Sequence, residues 1–351
     1  MDVRFKKINK VEDLDEFENS WKELEQGFEM TAFQSFEWNK LLVEEAINDK
    51  ANILLRDIYV CYLEDENQIQ LILPIITQKI SNKIKWIGRK KGIYILGYGS
   101  YSDYLNAIYR DIDLEKVMFM VSSLKAKFSR KKLYFHNIRK NSFNKCLSEI
   151  GEKIDESIAV SVNIVATVDE YNKLLSKSTK QNLRTALNRM NKKAVDYHFE
   201  IMGVIDDVAL KDKLLDLHIK RSKVKNLKNL TGLKKLSSTI RFWTIRHKER
   251  NNNIIYRSMG TMENSFTLIV FLEGNVAGYL YGLKENNCVR IMQNCFDMNY
   301  NFYSPLFRAC YDFILHVTES QEYKEIDFTR GTEEYKYKLA GHEVVIENFV
   351  I

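Results

Sequence analysis

Proline and glycine are scarce, 2 and 14 in 351 residues, which leaves little room for flexible linkers or low-complexity segments. No stretch of about eighteen apolar residues occurs, so no membrane-spanning helix is expected. The opening MDVRFKKINKVEDLDEF has no apolar core of a secretory signal, and a cytoplasmic location is the expectation. Cysteine is limited to Cys61, Cys146, Cys288, Cys295 and Cys310, scattered and never spaced as CxxC. That pattern predicts reduced thiols in a core rather than a disulfide framework or a zinc site. The six histidines are equally dispersed, with no HExxH pair, so no metal is expected. GxGxxG and Walker sequences are missing as well, which removes the motif support for a dinucleotide or ATP site.

What is present suits an ordinary globular chain: 45% hydrophobic and 28% charged residues, with a net charge of +6 that favours anionic partners. The length predicts two domains, and the order of elements divides them. In the first half, helical spacing over 11–27 and 33–45 gives way to the apolar runs 58–63 and 69–77, which read as a hairpin. A helix over 114–128 and a short strand over 133–138 follow. The second half repeats the device. Helices are expected over 170–175, 178–193, 207–223 and 234–251, then a hairpin of 266–272 with 276–284. A third strand over 288–297, a helix over 303–317 and a strand over 325–328 complete it. The expectation is an α/β (α+β) chain of two tandem units, 1–155 and 156–351, each a mixed sheet flanked by helices.

Four stretches carry candidate chemistry. Tyr323–Ala340, YKEIDFTRGTEEYKYKLA, runs from a strand through an Arg-Gly corner into a helix with acids in its first turn, and strand ends that lead into helices are where open α/β sheets keep ligands. It supplies Asp327, Arg330, Gly331, Tyr335 and Lys336. Ser304 and Pro305 open a helix whose free N–H groups would suit a pyrophosphate, such as that of an acyl-CoA. Ser176–Lys193 holds six cations and no acid, with Leu183, Leu187, Met190 and Ala194 as an apolar stripe and Lys177, Lys180 and Arg184 in a line beside it. Asp103, next to Tyr104 in GYGSYSDY, could act as a base or hold an incoming amine.

Together these residues resemble the BioF2-like branch of the GNAT acyltransferases, related to the Fem peptidoglycan-bridge aminoacyltransferases. The carrying motifs are FQSFEW near the start, SDY at 102–104, Lys180-x-x-x-Arg184 with Thr-Ala, LHIKR at 217–221, LEGNVAGYLYG, SPLF at 304–307 and above all DFTRGTEEYK at 327–336. The resemblance implies two GNAT-like domains and transfer of an acyl group, from acyl-CoA, to an amine of a cell-envelope or polysaccharide precursor. It implies phosphate contacts for Tyr335 and Lys336, amine recognition or base chemistry for Asp103, and acceptor binding for Arg184; Asp327 is the reserve base, and Tyr335 or a backbone N–H is expected to polarise the carbonyl. Tyr104, Lys180 and Arg330 join as substrate-binding candidates, and Ser304, Pro305 and Gly331 as donor-binding ones. The long helical hairpin with which Fem ligases handle tRNA is missing, and so is the glycine-rich pyrophosphate loop of ordinary GNAT enzymes. Transfer from an aminoacyl-tRNA and a non-catalytic ligand-binding module are the alternative functions.

Overall fold

Each half of the chain is built on the same run of six strands. The computed structural model describes residues 1–48, 56–78, 92–129, 131–227 and 253–351. Compactness divides it into one unit of Met1–Ile158 with Val344–Ile351 and a second of Ala159–Glu343.

The first unit contains β1 (Asp2–Ile8), a 3₁₀ turn over Val11–Phe17, α1 (Glu18–Leu24), α2 (Phe36–Asn48), β2 (Arg56–Asp65), β3 (Gln68–Gln78), β4 (Gly92–Ile95), β5 (Ile108–Tyr109), α3 (Leu114–Lys127), β6 (Lys132–Arg139) and α4 (Ser142–Ile150). It shares β7 (Glu152–Asn163) with the second unit. The second unit continues with α5 (Val168–Leu174), α6 (Lys177–Lys192), β8 (Tyr197–Met202), α7 (Val208–Leu227), α8 (Ile254–Thr261), β9 (Ser265–Leu272), β10 (Asn275–Lys284) and β11 (Cys288–Phe296). A 3₁₀ turn over Met298–Tyr303, α9 (Pro305–Ser320), β12 (Glu325–Arg330), α10 (Glu334–Lys338) and β13 (His342–Val350) follow.

In the first unit the strands run β1-β2-β3-β4-β6-β13, with β5 beside β3; in the second they run β8-β9-β10-β11-β12-β7. All neighbours are antiparallel except β4–β6 and β11–β12. Parallel neighbours need a crossover connection, and α3 and α9 supply it. The repeated order that the hairpins predict is therefore real down to the direction of each strand. The sequence does not show the origin of the sixth strand. β13 returns to pair with β6, so the last eight residues belong to the first unit, not to the second as expected. Strand pairing across 200 residues leaves no local signature.

Helix packing follows sequence spacing. Ala309, Cys310, Phe313, Ile314 and Val317 recur on one face of α9 and are buried with Leu268, Leu280, Val289 and Phe328 of the sheet. Val117, Met120, Val121 and Leu124 of α3 do the same against Leu71, Ile93 and Leu133. Ser35 caps α2, its Oγ accepting the Trp38 N–H at 3.2 Å. On α6, Leu183 and Met190 are buried, joined by Thr179 and Ala186; Ala194 lies past the helix end, exposed and left-handed (φ 50°), so it is no part of the stripe. The expected helix over 234–251 lies outside the described residues.

Candidate functional site

Backbone pairing between β11 and β12 is short. Cys288, Val289 and Arg290 lie opposite Glu325, Ile326 and Asp327, and the ladder ends there. Both strands bend just beyond. The register between β10 and β11 shifts after Tyr281, leaving Met292 as the extra residue of a bulge. A Cβ on Gly282 would run into the Arg290 carbonyl oxygen, so glycine is what lets the two strands approach at the bulge. In β12, Thr329 is left-handed (φ 52°) and Gly331 takes φ 113°. The Thr329 hydroxyl donates to the Ile291 carbonyl at 2.9 Å, so a side chain bridges the strands where the ladder has stopped.

The acid expected to do chemistry holds this bend together. Asp327 is fully buried; its Oδ2 accepts from Arg290 Nη1, and its Oδ1 accepts the Thr329 N–H at 2.7 Å. Arg290 Nε donates in turn to Glu285 Oε1 at 2.6 Å. Burial works against the charge on Arg290, but Glu285, Cys288 and Asp327 more than offset it and hold its pKa well above the usual arginine value. Asp327 is thereby corrected from reserve base to structural anchor: both its oxygens are engaged in the core.

Lys336 lies beneath the same corner and is 2% exposed. Its Nζ donates to the carbonyls of Thr329 (3.2 Å), Arg330 (3.0 Å) and Gly331 (3.0 Å) and pairs with Glu333 at 2.9 Å. These bonds hold the turn in shape from inside. In this structure the Lys336 ammonium is engaged by the turn, and Gly331 forms its corner.

Tyr335, one position earlier on α10, points the other way. Its ring meets Phe328 edge-on, and its hydroxyl oxygen accepts from Asn294 Nδ2 at 3.1 Å. Loss of water around the phenol, with the neighbouring Cys310 and Glu333, pushes its pKa well above the ordinary tyrosine value, while Arg221 acts in the opposite direction. Since Asn294 supplies the hydrogen to the oxygen, the phenolic proton is left to donate elsewhere. Tyr335 and Asn294 line a cavity of about 200 Å³ together with Arg221, Phe296, Ser304 and Pro305. Ser304 is left-handed (φ 48°, ψ 48°) and its side chain does not cap α9, so the first N–H groups of that helix have no side-chain cap at the cavity wall.

A family model described as an acetyltransferase (GNAT) domain matches residues 177–337, the segment that contains this cavity. The matched segment is somewhat less than half of the chain. FemX is similar in fold over the whole length, at 9% identity and a TM-score of 0.57, covering 100% of this chain and 97% of the other. A conserved protein of unknown function from Bacteroides thetaiotaomicron reaches a TM-score of 0.53 at 11% identity, covering 99% of both chains. L-PGS from Bacillus licheniformis reaches 0.50 at 8% identity, covering 83% of each. No curated protein matches the sequence. The expected α/β fold, with mixed sheet flanked by helices, is the observed one.

The second unit places Tyr335, Ser304 and Pro305, which the sequence reading assigned to different roles, along one cavity. It does not bring the remaining candidates there. Lys180 and Arg184 are exposed on α6, and Arg330 is exposed at the end of β12. Asp103 is half-buried in the first unit. Tyr104 is corrected: its ring is 2% exposed, edge-on to Phe33 and beneath the Arg139 guanidinium 5.0 Å away, so no face is left for a substrate. Six lining residues were not singled out as site residues: Arg221, Asn294, Phe296, Asn301, Leu306 and Phe307. Arg221 ends the LHIKR run, a signal that was in view. Asn294 and Phe296 read only as strand positions, and the bulge that aims them depends on Gly282 of another strand. Among the described residues no helix is long and apolar enough to cross a membrane.

Proposed function

We propose that the chain is an N-acyltransferase that moves an acyl group from acyl-CoA to an amine, with the thioester held in the cavity beside Tyr335. GNAT domains take acyl-CoA as donor, and the residues here suit one. The cavity wall is mostly apolar, the start of α9 offers uncapped N–H groups for a phosphate, and the edge of β11 beyond Arg290 is not paired with β12.

The single observation that carries the reading is the Tyr335 hydroxyl, held by Asn294 and kept protonated at the cavity wall. The amine nitrogen attacks the thioester carbonyl carbon, a C–N bond forms and the C–S bond breaks. The departing thiolate takes the phenolic proton, which returns to Tyr335 from solvent. Among the described residues no carboxylate or imidazole lines the cavity, so the amine arrives as the free base, and the proton it carries after the attack passes to water. No covalent enzyme intermediate is needed.

We take the acceptor to be an amino sugar or amino acid group of a cell-envelope or polysaccharide precursor. The Fem-like motifs and the whole-length FemX fold support this choice. The same likeness favours, as a second reading, transfer from an aminoacyl-tRNA. The test is continuous measurement of free thiol with acetyl-CoA and longer acyl-CoAs against a panel of amino sugars and amino acids. Acceptor-dependent thiol release supports the first reading. Product formation that depends on aminoacyl-tRNA and stops with RNase supports the second.

A further inference from the structure

Arg221 reaches the cavity from α7. Its guanidinium stands over the Phe296 ring, 4.2 Å from the centroid, which fixes the plane of the fork. Its Nη1 is buried without a hydrogen-bond partner, and no carboxylate among the described residues forms an ion pair with it. Elsewhere in the same unit the buried arginine is answered: Arg290 has Glu285 and Asp327. A guanidinium is always charged and presents five donors in a fork that matches carboxylate or phosphate oxygens. A donor of this kind removed from water and left unpaired is unfavourable until an acceptor reaches it.

Among the described residues, the cavity supplies no anionic acceptor. None of the residues lining the cavity is acidic, and the uncapped start of α9 adds partial positive charge to the same space. Arg221 is also close enough to Tyr335 to act on its hydroxyl electrostatically. We infer that Arg221 is a specificity-determining residue that receives an anionic oxygen group, carboxylate or phosphate, of the molecule bound beside Tyr335. The location of the reacting atoms rests on the acyl-transfer reading; the anion site itself does not.

The anion can belong to the phosphates of a CoA donor or to a carboxylate on the acyl group. Calorimetric titration of the wild type, Arg221→Gln and Arg221→Lys with CoA, pantetheine, acetyl-CoA and succinyl-CoA separates the two. Arg221→Gln weakens binding of the anionic probe at least tenfold, and Arg221→Lys, which keeps the charge without the fork, retains part of it. A loss on CoA with pantetheine unaffected assigns the phosphates. A loss on succinyl-CoA that exceeds the loss on acetyl-CoA assigns an acyl carboxylate. If the wild type binds no CoA compound, the acyl-transfer reading fails separately. Inorganic phosphate that raises the melting temperature of the wild type but not of Arg221→Gln then still carries the anion site. Equal response of wild type and both variants to every probe overturns the inference, and Arg221→Lys keeps that outcome readable if Arg221→Gln does not fold.

Discussion

Asn294 donates its side-chain N–H to the hydroxyl oxygen of Tyr335 at 3.1 Å, across the gap where β11 and β12 have stopped pairing. That bond orients the phenol and leaves its proton for another acceptor. Replacement of Tyr335 by Phe keeps the ring against Phe328 and removes only the proton donor. Turnover is expected to fall by about 10²–10³, with KM for the donor changed little, as for loss of a general acid. Asn294→Ala keeps the proton but frees the ring, and a smaller fall of roughly tenfold is expected. Steady-state kinetics on both variants checks the pair.

Lys336 is predicted to matter for shape rather than for charge in the site. Lys336→Met fills most of the same volume but leaves the carbonyls of Thr329, Arg330 and Gly331 without their donor. A loss of roughly 3 kcal/mol in unfolding free energy is expected, measured by urea denaturation. An unchanged midpoint, with only donor binding lost, would return Lys336 to the ligand.

Asp327 and Arg290 form a buried ion pair, and removing one partner strands the other. Arg290→Met and Asp327→Leu are each expected to cost about 3–5 kcal/mol. The double variant Arg290→Met/Asp327→Leu, in which no charge is stranded, should recover part of that. Denaturation of the three variants gives the coupling directly.

How much of this was visible in the sequence depends on the range over which each feature is determined. Hairpins and amphipathic faces are local, and spacing alone placed them. Element order placed the two tandem units, the strand–corner–helix pattern singled out 323–340, and the resemblance added the GNAT reading and the roles expected within 327–336. Features set by distant partners did not show. The role of Asp327 depends on Arg290, Thr329 and Glu285, the first and last of these on other segments; Tyr104 is closed off by Phe33 and Arg139; β13 pairs with a strand that ended 200 residues earlier. Within DFTRGTEEYK the sequence located the segment correctly but could not tell which side chains face the cavity and which face the turn. That division is made by two left-handed residues, Thr329 and Gly331, and only one of them is a glycine.

Gly282 should tolerate no side chain. A methyl group there meets the Arg290 carbonyl, and relief requires β10 and β11 to separate at the bulge that aims Asn294. Gly282→Ala is expected to destabilise by about 2 kcal/mol and to lower turnover in proportion to the displacement of Asn294. Gly274→Ala, in the β9–β10 turn with open space around its Cβ but φ 68°, is the companion for a strain effect remote from the cavity.

The pH profile follows from the direction of the Tyr335 shift. Desolvation favours the neutral phenol, so the proton stays in place throughout the range below about pH 10. With no acid or imidazole in the cavity among the described residues, turnover is expected to rise with pH as the acceptor amine loses its proton, and then to level off. A falling limb below about pH 10 that disappears in Tyr335→Phe would show that the phenol titrates earlier than its surroundings imply.

The most direct test of the account is thiol release from acyl-CoA by the wild type and by Tyr335→Phe, side by side and at matched fold by circular dichroism. The account predicts acceptor-dependent release by the wild type and a loss of about 10²-fold or more in the variant, with donor binding retained. Wild-type release rates in Tyr335→Phe would contradict it, because the cavity would then be doing its chemistry without the one proton it is built to hold.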